Sequence, residues 1–592
     1  VRDGAPMDLV LIAIGGVQKF IAESRSTADV AGASLTVQEL ARTVARTVES
    51  ALGDQPSPAG LVVPEPTAIG TDGVTSRIVF VAEHQQGPPI AMQAADAVAD
   101  AWRNRLARVF RGAVEAPTTP GFPDVCWVCV SGPLDTDADY RQLWDAGRAA
   151  LLQRRRSRIF THTTVRNQTL CPQSPQFAAV STPPVDARSH EKDRGEMLSA
   201  ASWLKRLAAR TQTQDGFPST AAIASASYRR ALITTTGIQA DLAVPVRELA
   251  RAAAATGGAV NEPELAQTEV PDTLRPLAAG LGAWVHPDAW DLHTLRRENP
   301  RVSAQTVTAG YQAATRIHAL AVAAGAPALT SYYAIVVQDM DKLGTALGRL
   351  GRDEQQAASR ALLELGHAER ATVQGRDGFT VYAGGDDLLA FCPAAQALAL
   401  AEDLRRLIAH TLPRTPLAAR GPGGAEVTAS TAVVYAHMSS PLGEAMATAR
   451  EAIEQAKHSG RDAVAVVARR RGGERARTVQ PWHIDRSGRE GDGNAAQLLR
   501  AITPSAEEFS PGFASDLERD RRGLVELAEH APAVLLKELT RLIARHGTPN
   551  ERAGQRARAM HWLAIRERHR ATAGFDPLPS ALLARFLAQE CR

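Results

Sequence analysis

The chain has 592 residues, 44% of them hydrophobic and 22% charged, with a formal net charge of +3. That length exceeds what one core fills, so about three to five domains are expected, with the composition of an ordinary soluble globular protein. The near-neutral charge excludes a polycation that grips nucleic acid with its whole surface and leaves only local patches for that role.

Five cysteines, Cys126, Cys129, Cys171, Cys392 and Cys591, form a sparse, odd set. This argues against a disulfide framework and for a reducing compartment. No stretch approaches the roughly eighteen uninterrupted apolar residues of a membrane span, and the apolar run Leu9–Ile14 is too short for a signal sequence. The expected location is the cytoplasm.

In chain order, Asp8–Ile14 has strand character and runs through Gly15-Gly16 into a helical pattern carried by Val17, Phe20, Ile21 and Ser24. A second strand is expected at Ser76–Ala82 and a helix at about 91–109, which makes a strand–helix–strand–helix module. From Pro117 to about Arg188 proline, cysteine and polar residues dominate, apart from a helix near 140–155. The region from Ser199 to Gly325 alternates Ala-rich helices with Gly and Pro breaks. Tyr332–Val337 is a β-branched strand that ends at Gln338-Asp339-Met340-Asp341, followed by helices at roughly 341–350 and 354–373. Phe379–Ala383 and Leu388–Phe391 are short strands joined by Gly384-Gly385-Asp386-Asp387, a hairpin turn by composition. A helix at 394–410, a strand at 427–436, a helix at 441–459 opened by Pro441 and stopped by Gly460, and a strand at 462–467 complete this part. Arg469–Arg477 has the texture of a basic linker, and the chain after Trp482 is helical with proline breaks. The modules that begin at Asp8 and at Ser331 open in the same way.

Asp339 ends one strand, and Asp386 and Asp387 sit in a hairpin turn expected beside it, after a crossover of two helices. Clustered carboxylates at adjacent strand ends supply the oxygen ligands that Mg²⁺ or Mn²⁺ requires, and phosphoryl transfer between nucleotides uses such metals. Gly384 and Gly385 provide positive φ and close approach to the backbone. A Gly-Gly-Asp-Asp turn alone is ordinary turn composition. It gains weight from the carboxylate-ended strand before it and from the helix carrying Lys457 ahead of Gly460-Arg461-Asp462. Taken alone, Lys457 would be a solvated helix-face lysine, and Asp341 suits a helix N-cap.

The stretches YYAIVVQDMDKLG, FTVYAGGDDLLAFCP and STAVVYAHMSSPLGEAMATAREAIEQAKHSGRDAVAVV resemble the palm of nucleotide cyclases that include the GGDEF diguanylate cyclases. More closely, they are similar to the second palm of the large subunit of type III CRISPR effector complexes. LIAIGGVQKFIAESRSTADVAGAS resembles the opening of that family's first palm, and CWVC at 126–129 and MLSAASWLKRL at 197–207 extend the likeness. GGDEF enzymes favour a Glu and an aromatic where this chain has Asp387 followed by Leu388, and that departure favours the CRISPR family over diguanylate synthesis.

The resemblance implies an α+β multidomain chain with two ferredoxin-like palms. A non-catalytic first palm is expected over 6–115, a zinc-knuckle-like insert over 116–195 and a helical linker domain over 196–330. The second palm would span 331–470 and a helical C-terminal domain 480–592. It further implies that Asp339, Asp386 and Asp387 hold Mg²⁺ or Mn²⁺, that Gly384 and Gly385 shape the nucleotide pocket, and that Lys457 contacts triphosphate. ATP would be converted into cyclic oligoadenylate when a complex with other effector subunits and guide RNA captures target RNA. The alternatives are a stand-alone dinucleotide cyclase and a non-catalytic scaffold subunit. The first palm offers only Glu83 near the equivalent hairpin and no His-Asp pair occurs in the chain, so neither catalysis there nor nuclease action is expected.

Cys126-x-x-Cys129 has zinc-knuckle spacing, with Cys171 as a third ligand and His162 or His190 as candidates for the fourth. Cys392 is expected as a small buried hydrophobe. Arg154–Arg156 with Arg158, and Arg469–Arg477, could meet an RNA backbone. Without interleaved aromatics, solvated faces or linkers are the favoured reading of both.

Overall fold

The computed structural model describes residues 5–53, 58–70, 75–111, 122–157, 169–184, 186, 195–212, 217–257, 265, 269–418, 427–482, 499, 512–546, 552–558, 560 and 578–591. Its first sheet is built from β1 (Met7–Gly15), β2 (Gly60–Val63), β3 (Arg77–Glu83) and β4 (Asp124–Gly132), in the order β2-β3-β1-β4 with antiparallel neighbours. The short α1 (Val17–Ala22) and the long α2 (Thr27–Leu52) connect β1 to β2, and α3 (Gly87–Phe110) connects β3 to β4. This is the βαββαβ arrangement of a ferredoxin-like fold.

Alternation along β1 explains why this strand is apolar throughout. Val10, Ile12 and Ile14 face α2 and α3, while Leu9, Leu11 and Ala13 face α4 (Asp137–Arg156) through Tyr140 and Trp144. Ser26 and Asp29 form a capping box that starts α2, and Thr136 and Asp139 form another that starts α4.

The same alternation overturns the zinc expectation. Cys126 and Cys129 lie on β4, paired with Ala13 and Val10 of β1. Three residues apart on a strand, they project to opposite faces: Cys126 packs with Tyr140 and Trp144, and Cys129 against the α2–α3 side. They cannot share an ion, and Cys171 is separately buried beside Ser174 and Ser202. His162 and His190 lie outside the described residues. The first sheet consequently runs on to Gly132, past the expected boundary at 115; the proline-rich flanks of β4 gave this strand the texture of an insert.

The second sheet repeats the arrangement. It contains β5 (Tyr332–Met340), β6 (Phe379–Ala383), β7 (Asp387–Pro393), β8 (Ala429–His437), β9 (Ala463–Arg470) and β10 (Gly473–Pro481), in the order β10-β9-β8-β5-β7-β6. Its strands β6-β7-β5-β8 repeat the first sheet's order, and β9 is added parallel to β8. The connections are α6 (Leu343–Leu347) with α7 (Arg352–Gly375), then α8 (Ala397–Thr411) and α9 (Leu442–His458). The expected basic linker at 469–477 is therefore a β-hairpin. Arg469 reaches Glu444 and Thr448, and Arg477 reaches Glu451, so these cations clamp α9.

One core joins the modules: Val44 and Phe80 of the first share a buried cluster with Tyr333, Phe391 and Ala452 of the second. Helices between Thr220 and Ala323 have their own core. The C-terminal helices α10 (Gly512–His530), α11 (Pro532–Arg545) and α12 (Leu578–Glu590) join the other face of the second sheet, where the Phe586 ring meets Tyr332 edge-on at 4.9 Å. Before the mid-chain helices, α5 (Ala200–Gln212) straps the α1–α2 turn. Lys205 Nζ donates to the Phe20 carbonyl at 3.0 Å and also to that of Glu23. Arg206 binds both Asp29 oxygens, each at 3.1 Å. Burial works against the Asp29 charge, but Arg206 and Lys205 outweigh it and hold the carboxyl below its ordinary range. Removing one partner of such a pair leaves an uncompensated buried charge. Arg206→Ala is expected to cost about 3 kcal/mol or more, seen as a fall of several degrees in the first thermal transition.

Candidate active site

The site lies where β5 ends. Register pairs Asp339 of β5 directly with Asp387 of β7. Asp386 occupies the turn, and its carbonyl accepts from the Met340 amide at 2.8 Å, which joins hairpin to strand end. The turn closes through Gly384 N–H to the Asp387 carbonyl at 3.0 Å. Gly385 has φ 80°, and a Cβ there would stand 1.8 Å from the Leu362 carbonyl oxygen of α7. The hairpin thus lies directly against α7, and no side chain fits between them.

Three carboxylates crowd this edge. Burial comes first and mutual repulsion second in raising the carboxyls of Asp386 and Asp387, most strongly Asp387. Burial also raises Asp339, partly offset by Lys457. Lys457 Nζ lies 3.0 Å from Asp339 Oδ1 and 3.4 Å from Glu454 Oε1. Burial disfavours its charge, but these carboxylates prevail and its pKa lies above the ordinary lysine value. Lys457 is therefore a site residue rather than a solvated lysine of a helix face. Asp341 belongs to the scaffold and is not the expected helix cap. It accepts from Thr428 Oγ1 and Ser430 Oγ at 2.8 Å and from the Asp462 amide at 2.9 Å, tying the ends of β5, β8 and β9 together.

Two further residues escaped sequence reading. Arg77, the first residue of β3, pairs with Ala13 of β1 at the corresponding end of the first sheet. The first module thus has Arg and Ala where the second has Asp387 and Asp339, while Glu83 lies exposed at the far end of β3. Burial lowers the Arg77 pKa, against the raising effect of Asp386 and with Arg155 and Arg148 adding repulsion. Arg77 and Asp386 both line a cleft of about 300 Å³ between the modules, with Ile14 and Arg155 on one side and Leu347 and Leu362 on the other. Glu369 of α7 is the second. It is buried, Oε2 has no hydrogen-bond partner, and burial with the nearby Asp386 charge pushes its pKa up to about 8. No periodicity marks either residue, because each acts across an interface between elements.

The donor set is all oxygen, and its mutual repulsion is the strain that a hard divalent cation relieves. Among the described residues no group of three or more His, Cys, Asp and Glu side chains is already arranged around one ion, and Asp339 is engaged by Lys457. Cys392 is fully buried on β7, as expected for a small hydrophobe.

Residues 332–465 match the family model described as Cas10/Cmr2, second palm domain. The second module is similar to the palm that this family model describes. Its matched segment begins at the first residue of β5 and ends within β9, so it contains all three acids and Lys457. Beyond this palm, the fold extends to solved structures. A chain of the Type III-B Cmr-beta complex bound to cognate target RNA aligns with a TM-score of 0.59 and 14% identity, over 93% of this chain and 79% of that one. The same complex in its apo state gives 0.56 and 14%, over 92% and 78%. At this identity the likeness is one of fold. No curated protein matches the sequence.

Three outcomes follow from the crowding around the Gly-Gly-Asp-Asp hairpin. Without divalent cations, Asp387→Asn is expected to raise the thermal midpoint, since it removes a repelled, partly buried charge. Gly385→Ala is expected to lower it through the α7 clash by roughly 2 kcal/mol or more. For Glu369 the folded chain holds an extra proton between the ordinary value of 4.5 and about 8, so stability falls as pH rises through that window. Glu369→Gln is therefore expected to flatten the wild-type decline in thermal midpoint from pH 5 to pH 8.

Proposed function

We propose that the chain is the large subunit of a type III CRISPR ribonucleoprotein, and that its second palm joins ATP into cyclic oligoadenylate when the complex captures target RNA. The observation that carries this reading is the cross-strand pairing of Asp339 with Asp387, with Asp386 in the adjoining turn. The family match across this segment supports the same reading. So does the fold shared with a Type III-B complex solved with cognate target RNA. The partners are other effector subunits, guide RNA and target RNA.

In this reading Asp339, Asp386 and Asp387 hold Mg²⁺ or Mn²⁺. When bound, such cations activate a 3′-hydroxyl and neutralise triphosphate charge. Lys457 would leave Asp339 for a phosphate oxygen, a role that suits an ammonium point charge. Gly384 and Gly385 let a phosphate approach the backbone. Arg77 contributes positive charge from the first palm, in a cleft where low dielectric strengthens its effect. The first palm, with Ala13 and Arg77 at its corresponding end, binds and orients without holding metal of its own. Zinc has no part in this mechanism.

The test is incubation of the protein with labelled ATP and Mg²⁺ or Mn²⁺, beside an Asp386→Asn/Asp387→Asn variant, with products resolved by mass. It is run with and without partner subunits, guide and target RNA. Cyclic oligoadenylate from the wild type, reduced at least about 100-fold in the variant, is the expected result. Dependence on target RNA assigns the reaction to the CRISPR complex, and a cyclic dinucleotide made without partners would instead identify a stand-alone cyclase. No product from any nucleoside triphosphate, even in the assembled complex, would reduce the chain to a scaffold.

A further inference from the structure

Strand β6 carries one irregularity, a slip in its register with β7 between Thr380 and Tyr382. Strict alternation from Phe379 and Val381, which face the core shared by the two palms, would send Tyr382 to the opposite face of the sheet. The bulge instead returns Tyr382 to the side of Val381, and Ala383 drops into the core on the other face. Bulges beside functional sites commonly re-aim a side chain in this way.

The face to which Tyr382 is turned is that of the acids. Tyr382 pairs with Leu389, which lies two residues beyond Asp387 on β7, and Asp387 in turn pairs with Asp339. Leu389 and Val337 pack into the same inter-palm core, so Tyr382, Asp387 and Asp339 share one side of the sheet. The charges acting on the Tyr382 hydroxyl are those of Asp387, Arg450, Asp339 and Asp386. A tyrosine hydroxyl is a donor that a carboxylate can accept. Arg450 projects from α9, and its Nη2 donates to the Gln18 carbonyl of α1 at 2.9 Å. Arg450 thus ties α9 of the second palm to α1 of the first, and its charge acts on Tyr382.

We propose that Tyr382 is a positioning residue for the Asp387 carboxylate, and that Arg450, anchored on α1, holds Tyr382 in place. Its part in turnover rests on the nucleotidyl-transfer reading of the site, whereas its effect on cation binding does not. A bulge that gives up regular pairing to place a phenol beside crowded acids is explained by this role. Packing alone would be satisfied by an apolar ring.

The experiment compares wild type, Tyr382→Phe, Tyr382→Leu and Arg450→Gln in the full chain. Mn²⁺ binding is measured alone by electron paramagnetic resonance, and ATP turnover in the assembled complex. Tyr382→Phe keeps the ring and removes only the hydroxyl. It is expected to keep the thermal midpoint, weaken Mn²⁺ binding about tenfold and lower kcat to a similar degree, with KM for ATP little changed. Arg450→Gln is expected to weaken Mn²⁺ binding in the same direction, with little further loss when combined with Tyr382→Phe. If Tyr382→Phe matches wild type in Mn²⁺ affinity and only Tyr382→Leu is impaired, through lost stability, the tyrosine is a packing residue and the proposal is overturned. If wild type turns over no nucleotide but Tyr382→Phe still weakens Mn²⁺ binding, the nucleotidyl-transfer reading fails while the positioning role stands.

Discussion

Three carboxylates held at one sheet edge repel each other where water is scarce, and the surrounding elements are arranged to tolerate that repulsion. Asp339 and Asp387 are brought together by strand register, so neither can retreat without breaking the β5–β7 ladder. Asp386 is fixed by its own carbonyl, bound to Met340. Compensating cations stand on two sides, Lys457 on α9 and Arg77 from the other palm, while the buried Glu369 carboxyl on α7 adds to the crowding. A site that is unfavourable when empty binds cations strongly, because part of the binding free energy comes from relief of repulsion.

The rest of the molecule holds this edge in place. The two palms repeat one strand order and share a core, and strand ends and helices of both line the cleft between them. Lys205 and Arg206 on α5 hold the turn that begins α2, and α2 in turn contacts β6 through Ser34 Oγ, which donates to the Val381 carbonyl at 2.9 Å. Asp341 ties three strand ends just beyond Asp339. The duplicated topology serves an asymmetric end. One palm presents acids at its strand tips and the other an arginine, which on the proposed nucleotidyl-transfer reading would face the metal and the phosphate of one nucleotide.

Some of this was legible in the sequence. The β5 run, the Gly-Gly-Asp-Asp hairpin, the helices around it and the buried Cys392 all follow from local pattern, and they stand where pattern placed them. The cysteine pair failed because spacing does not reveal secondary structure. Three residues apart in a knuckle turn brings thiols together, and three apart on β4 sends them to opposite faces. The basic stretch at 469–477 failed for a related reason: arginines on an edge hairpin, paired with glutamates on α9, have the same composition as a linker.

Sequence alone determined that two glycines and two acids share a hairpin turn, since neighbours in the chain and simple turn chemistry suffice for that; strand register brought Asp339 beside them. Tertiary structure decided what surrounds them. Arg77 and Glu369 reach the site from separate elements, and nothing in their own neighbourhoods marks them; Tyr382 lies beside the hairpin in sequence, but only the bulge decides which face it takes. Their roles arise from one bulge, one helix packed on a glycine and one interface between sheets. Those are facts of register and packing, and a linear pattern carries no information about which distant strand ends will share a face.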